Sequence, residues 1–182
     1  MTAIAVDRVS KRFGDVVAVD DLSFEVDEGE IFGFLGPNGA GKTTTIDLLL
    51  DFVRPTSGEL TVLGEPVGAD PVAVRQRCGV LPEGASAWDR LTGRQHLEFA
   101  IQSKDANADP DAILHRVGLS DAGDRRAGDY SAGMVQRLLL GMAVVGEPDV
   151  LILDEPSNGL DPNGAREMRE IVRAENERGA TV

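Results

Sequence analysis

The run Gly36-Pro37-Asn38-Gly39-Ala40-Gly41-Lys42-Thr43 constrains the fold of this chain more than any other feature. It satisfies the pattern G-x-x-x-x-G-K-[ST] in full. An apolar segment, residues 31–35, leads into it. Residues 43–53 follow, with Ile46, Leu49, Leu50 and Val53 at helical spacing. Glycines at these positions let the backbone curl so that its N–H groups converge on an anion. The start of the following helix adds the positive end of its dipole. In such a loop Gly36, Pro37, Asn38, Gly39, Ala40 and Gly41 present backbone to phosphates, with Thr44 beside them. Lys42 reaches the β- and γ-phosphates, and the Thr43 hydroxyl ligates Mg²⁺.

The rest of the chain alternates strand and helix patterns. Residues 4–9 and 16–26 read as strands around a Gly14-Asp15 turn, and residues 31–35 as a short strand. Residues 59–67 read as a hairpin turning at Leu63-Gly64. Residues 71–77 form a short helix and 78–81 a short strand. Between 84 and 130 there is no strand pattern, but helical stretches at 92–103 and 110–117. Residues 134–145 read as a helix, 150–153 as a buried strand, and 162–178 as a long charged helix. Strand–helix alternation of this kind predicts an α/β fold with a largely parallel sheet.

The apolar strand Val150-Leu151-Ile152-Leu153 ends in Asp154-Glu155. Ligands of open α/β sheets bind at the C-terminal ends of strands. Asp154 there can hold Mg²⁺ through water, and Glu155 can act as general base on an attacking water. Phosphoryl transfer needs positioning and charge neutralisation above all, and Lys42, Thr43, Asp154 and Glu155 are the residue types that supply them.

Composition excludes several classes. The net charge of −13 disfavours a nucleic-acid surface. Cys78 is the only cysteine and His96 and His115 the only histidines, so neither a disulfide nor a Cys/His metal cluster is expected. No run of about 18 apolar residues reads as a membrane span. Arg outnumbers Lys 15 to three, against 18 Asp and 13 Glu. An acidic, Lys-poor surface of this kind fits a protein working in concentrated salt.

With three further features, these motifs resemble the ATP-binding cassette (ABC) ATPases over nearly the whole chain. Tyr130-Ser131-Ala132-Gly133-Met134, followed by Gln136-Arg137, is similar to the family signature LSGGQ. Ser157-Asn158-Gly159-Leu160-Asp161-Pro162 is similar to the D-loop. Phe13 falls where the family stacks an aromatic on adenine, and Leu81-Pro82-Glu83 falls at the Q-loop. The resemblance implies a P-loop NTPase core (residues 1–83 and 134–182) with an N-terminal antiparallel β-subdomain. A helical subdomain at 84–133 carries the signature. It implies ATP and Mg²⁺ as ligands, with Lys42, Glu83 and Glu155 catalytic. Thr43, Glu83 and Asp154 serve the metal. It also implies a head-to-tail pair of cassettes, in which Ser131 and the Gly133 N–H cap the γ-phosphate held by the other chain. A separate integral membrane permease would complete a transporter at the cytoplasmic face of the membrane.

Departures from the family pattern carry expectations of their own. Glu83 replaces the Q-loop glutamine, Ala132 a signature glycine, and Met134 the signature glutamine. The variant motifs are similar to those of drug- and antibiotic-export cassettes, which implies export. Residues 179–182 read as the opening of a further strand, after which the family places a switch histidine; neither His96 nor His115 lies there. A fragment of a longer chain, unstable and weakly active alone, is therefore expected. Trp88 reads equally as an interface anchor or a buried residue. Two other classes stay open: a soluble cassette protein acting on DNA or ribosomes, and a regulatory module that binds ATP without turnover.

Overall fold

A computed structural model describes residues 1–182, which form two compact units: residues 1–78 with 181–182, and residues 79–180.

In the first unit, β1 (Thr2–Phe13) and β2 (Val16–Asp27) make a long antiparallel hairpin. β1 runs past Val9, where the apolar alternation stops. A bulge carries it on: Arg8 adopts φ 47° and its N–H donates to Ser23 Oγ at 2.8 Å. β3 (Ser57–Val62) pairs antiparallel with β1, and β4 (Glu65–Pro66) with β3, giving the sheet order β2-β1-β3-β4. The turn from β3 to β4 falls at Leu63 and Gly64, both with positive φ (55° and 79°), as a two-residue hairpin turn requires. Ala3, Ile4, Val6, Val9, Leu60 and Val62 are buried in this unit.

α1 (Lys42–Leu49) packs on β2 and β3. The apolar spacing predicted a helix to Val53, and the structure stops it at Leu50. Asp51 turns left-handed (φ 53°), and the Phe52 N–H donates to the Asp47 carbonyl at 2.9 Å, which closes the last turn. α2 (Pro71–Gln76) is capped by Asp70.

The predicted strand at residues 31–35 forms no ladder of its own. Its alternation is real: Phe32 and Phe34 pack on Phe24 with ring centroids 5.4 and 5.5 Å away. Ile31 and Leu35 face the other way and are 49% and 92% exposed. A strand needs a neighbour along its edge. Here Val182 supplies one step, with Phe32 N–H donating to its carbonyl at 2.7 Å and its own N–H to the Glu30 carbonyl at 2.8 Å. One residue bonding to two positions i and i+2 is the slanted pattern of a parallel pair.

The second unit holds all but the first residue of β5 (Cys78–Leu81), hydrogen-bonded to β6 (Val150–Leu153). Its helices are α3 (Gly93–Ser103), α4 (Pro110–Arg116), α5 (Ala132–Ala143) and α6 (Pro162–Glu177). Leu97, Ile113, Val117, Leu138 and Leu140 are buried where α3, α4 and α5 meet. Gly141 lets them close in, since a Cβ there would already touch Leu97, Ile113 and Val117 at 3.4 Å. Arg116 and Glu175 form a short, buried, two-pronged ion pair joining α4 to α6. No helix is long and apolar enough to cross a membrane.

Candidate functional site

Within the first unit the glycine-rich loop wraps the start of α1. Gly39 and Gly41 are left-handed, with φ 82° and 87°. At Gly41 a side chain is also excluded sterically, because a Cβ would sit 2.3 Å from the Ala18 carbonyl of β2. Gly41 caps α1 without any side-chain bond, whereas Asp70, Thr92, Asp109, Ser131 and Asp161 cap the other α-helices. The one uncapped helix start is thus the one the loop presents, where the dipole favours an anion.

Lys42 folds its ammonium back over the loop and donates to the Gly36 carbonyl at 2.8 Å and the Pro37 carbonyl at 3.3 Å. The Thr45 hydroxyl donates to the Gly41 carbonyl at 2.9 Å and secures the first turn of α1. Thr43 is exposed and Thr44 half-buried. Phe13 ends β1 opposite Val16 and is 49% exposed, with the Lys11 ammonium 4.8 Å from its ring centroid. Ala18, beneath Gly41, lies two residues along β2 from Val16, about 7 Å. The hairpin tip therefore brings a half-exposed aromatic ring, with Lys11 over one face, to the neighbourhood of the loop.

In the second unit, the Asp154 N–H donates to the Leu81 carbonyl at 2.8 Å, which joins the ends of β5 and β6. Asp154 is 8% exposed. Glu83 stands two residues beyond Leu81, on the exposed loop that leaves β5. Glu155 is exposed and left-handed (φ 49°), a conformation that costs a residue with a Cβ about 1–2 kcal/mol. Its carbonyl accepts the Asn158 N–H at 3.0 Å, turning the chain towards Asp161, which caps α6 through the Gly164 N–H at 3.0 Å. Arg8, Asp51 and Leu63 share this conformation at a bulge, a helix end and a hairpin turn, and nothing in the residue pattern announces it at Glu155.

Ser131 caps α5, accepting the Met134 N–H at 3.3 Å. Both Ser131 and Ala132 are exposed, and a Cβ at Gly133 would come no nearer than 4.0 Å to Leu160. Tyr130 anchors the approach by donating to the Ala122 carbonyl at 2.6 Å, and burial pushes its phenol above the ordinary range.

Two features were not foreseen from the residues. Trp88 is 49% exposed and rests on a fully buried His96, their ring centroids 5.2 Å apart. His96 Nε2 accepts the Trp88 N–H at 2.9 Å while Nδ1 meets the Thr92 carbonyl at 2.7 Å, the pairing of a tautomer that donates from Nδ1. The second is Arg137, which reaches the carbonyls of Gly118 and Gly133.

Residues 19–158 match the family profile described as ABC transporter. The chain is 42% identical to the daunorubicin resistance ATP-binding protein DrrA3 of Streptomyces coeruleorubidus, across 100% of this chain and 59% of that protein. It is 42% identical to the Nod factor export ATP-binding protein I of Burkholderia lata, across 96% of this chain and 59% of the relative. It therefore spans under two thirds of these relatives' length. A solved ATP binding subunit of an ABC transporter superposes with TM-score 0.84 at 27% identity, covering 98% of this chain and 77% of that one. A nucleotide-free ATP-binding cassette superposes with TM-score 0.86 at 22% identity, covering 100% and 79%.

Proposed function

The chain belongs to the ABC transporter family, and from that membership we propose that it binds and hydrolyses Mg-ATP to power a separate membrane permease. The observation that carries this is the Gly36–Thr43 loop: two left-handed glycines, a helix start without a side-chain cap, and an ammonium already held on the loop's own carbonyls. Such a cradle suits an anion such as a chain of phosphates.

The roles follow from chemistry. Gly36 to Gly41 offer backbone N–H groups to phosphate, and Lys42 exchanges its carbonyl partners for phosphate oxygens. Phe13 offers a π-face to a purine. Mg²⁺ takes one or two protein oxygens beside substrate phosphates and water; the Thr43 hydroxyl, the Asp154 carboxylate and, through water, Glu83 are the oxygens that would hold it on this reading. When bound, Mg²⁺ neutralises phosphate charge. Glu155 accepts a proton from the attacking water. Ser131 and the Gly133 N–H, at the start of α5, cap the phosphate of a second cassette packed head to tail.

Residues 84–133 act as the helical insert facing the permease, with the chain peripheral at the cytoplasmic face. Relatives named for drug resistance and Nod factor export support export as the direction. The acidic surface further suits high salt, which thermal unfolding against KCl concentration would test; equal stability at low and molar salt would sink that part.

A Glu155→Gln variant tests the central reading. It should retain Mg-ATP and form an ATP-dependent dimer, read by size-exclusion with light scattering. A chain that does not bind Mg-ATP at all would refute the proposal.

A further inference from the structure

Arg137 lies on α5 one turn beyond the signature residues, with only 18% of its side chain exposed. Its guanidinium meets three elements. Nη1 donates to the Gly118 carbonyl at 3.1 Å, just past the C-terminus of α4, with Val117 a longer neighbour at 3.5 Å. Nε faces the Gly133 carbonyl at 3.4 Å. The carboxylate of Glu167, on α6, lies 3.5 Å away. The seat is shaped for it: Gly118 is left-handed (φ 66°), and a Cβ there would stand 2.9 Å from Arg137 Nη1. A cation at the end of α4 also meets the negative end of that helix dipole.

These contacts converge on the turn that begins α5. Leu160, in the segment after Glu155, already lies beneath Gly133. Glu167, seven residues further on, reaches the same turn through Arg137. We propose that Arg137 is a positioning residue that locks residues 131–133 to the 157–167 segment, so that the signature turn and the chain following Glu155 move as one body. This rests on the phosphate-capping role proposed for Ser131 and Gly133. The planar fork of arginine is what the task needs, since it presents several donors at fixed angles and one ammonium does not.

Amide hydrogen exchange on the full chain tests the lock directly. Arg137→Ala should speed exchange across residues 132–136 about tenfold, the size expected for losing bonds to a charged donor. Glu167→Gln should do so less, and Arg137→Lys should not restore protection. In a Glu155→Gln background, Arg137→Ala should also raise the ATP concentration needed for dimerisation about tenfold, while ATP affinity of the monomer changes less than about twofold. Unchanged exchange in Arg137→Ala, or full protection in Arg137→Lys, overturns the lock. If Arg137→Ala does not fold, Gly118→Ala displaces the guanidinium and is held to the same exchange criterion. A Glu155→Gln parent that stays monomeric at saturating ATP would instead sink the phosphate-capping role, and exchange would still decide the lock.

Discussion

The Lys42 ammonium lies 2.8 Å from the carbonyl of Gly36, the first residue of the loop it closes. The lysine thus holds the loop in its curled form by satisfying an oxygen that phosphate does not need. On the function proposed above, binding would swap these carbonyl partners for phosphate oxygens. Lys42→Ala should weaken ATP binding about a hundredfold, the upper range for hydrogen bonds from a charged donor. Fluorescent-nucleotide titration checks this, and affinity within about twofold of the parent would contradict it.

Gly41 is held by its φ of 87° and by the Ala18 carbonyl, which a Cβ would approach to 2.3 Å. Gly41→Ala should lower stability by about 2 kcal/mol or more, seen as a lower midpoint in denaturant. Gly14, also left-handed but with nothing near its missing Cβ, should cost only the backbone share on the same substitution, about 1 kcal/mol.

Glu155 stays left-handed at φ 49° although glycine would fit there more easily. Glu155→Gly should therefore stabilise the chain by about 1 kcal/mol while abolishing turnover. Thermal unfolding and phosphate release, measured side by side, check both halves.

In the Arg116–Glu175 pair the carboxylate is buried and the guanidinium nearly so, with 5% and 14% of the side chains exposed. Removing Arg116 leaves Glu175 only the longer contact to Arg178, at 3.7 Å. Arg116→Ala should cost about 3 kcal/mol, the low end for breaking a buried pair. The double change Arg116→Met with Glu175→Leu should recover most of that loss, and chemical denaturation distinguishes the two.

Tyr130, the only tyrosine, is raised by burial in the folded state. A raised folded value means that its contribution is full below the unfolded value of about 10 and is lost as pH climbs through the folded one. Stability should fall on the alkaline side, and Tyr130→Phe should flatten that fall. Tyrosinate absorbance followed against pH reports the same group without interference from another tyrosine.

The glycine-rich loop was legible because most of its demands are local: Gly39 and Lys42 act through their own backbone and the next helix, and only Gly41 also answers to a distant group, the Ala18 carbonyl. Two helix starts were legible for the same reason, behind Thr92 and Asp161, whereas α5 begins at Ala132, two residues before the expected 134. What depends on distant partners was not. β1 runs on to Phe13 because β2 and β3 pair with it, whatever its alternation says. Residues 31–35 carry a strand's alternation but find one step of pairing, at Val182. Asp51 halts α1 inside a run of apolar residues that would extend it. His96 looked ordinary because its meaning lies in the Trp88 N–H and Thr92 carbonyl, which nothing in its own surroundings along the chain reveals.

Since Trp88 is the sole tryptophan and leans on the His96 imidazole, indole emission from this chain comes from one place only, the stretch leaving β5 just after Glu83. Any event that tugs that stretch, whether nucleotide arriving or a membrane partner settling, should change brightness or colour without a dye attached.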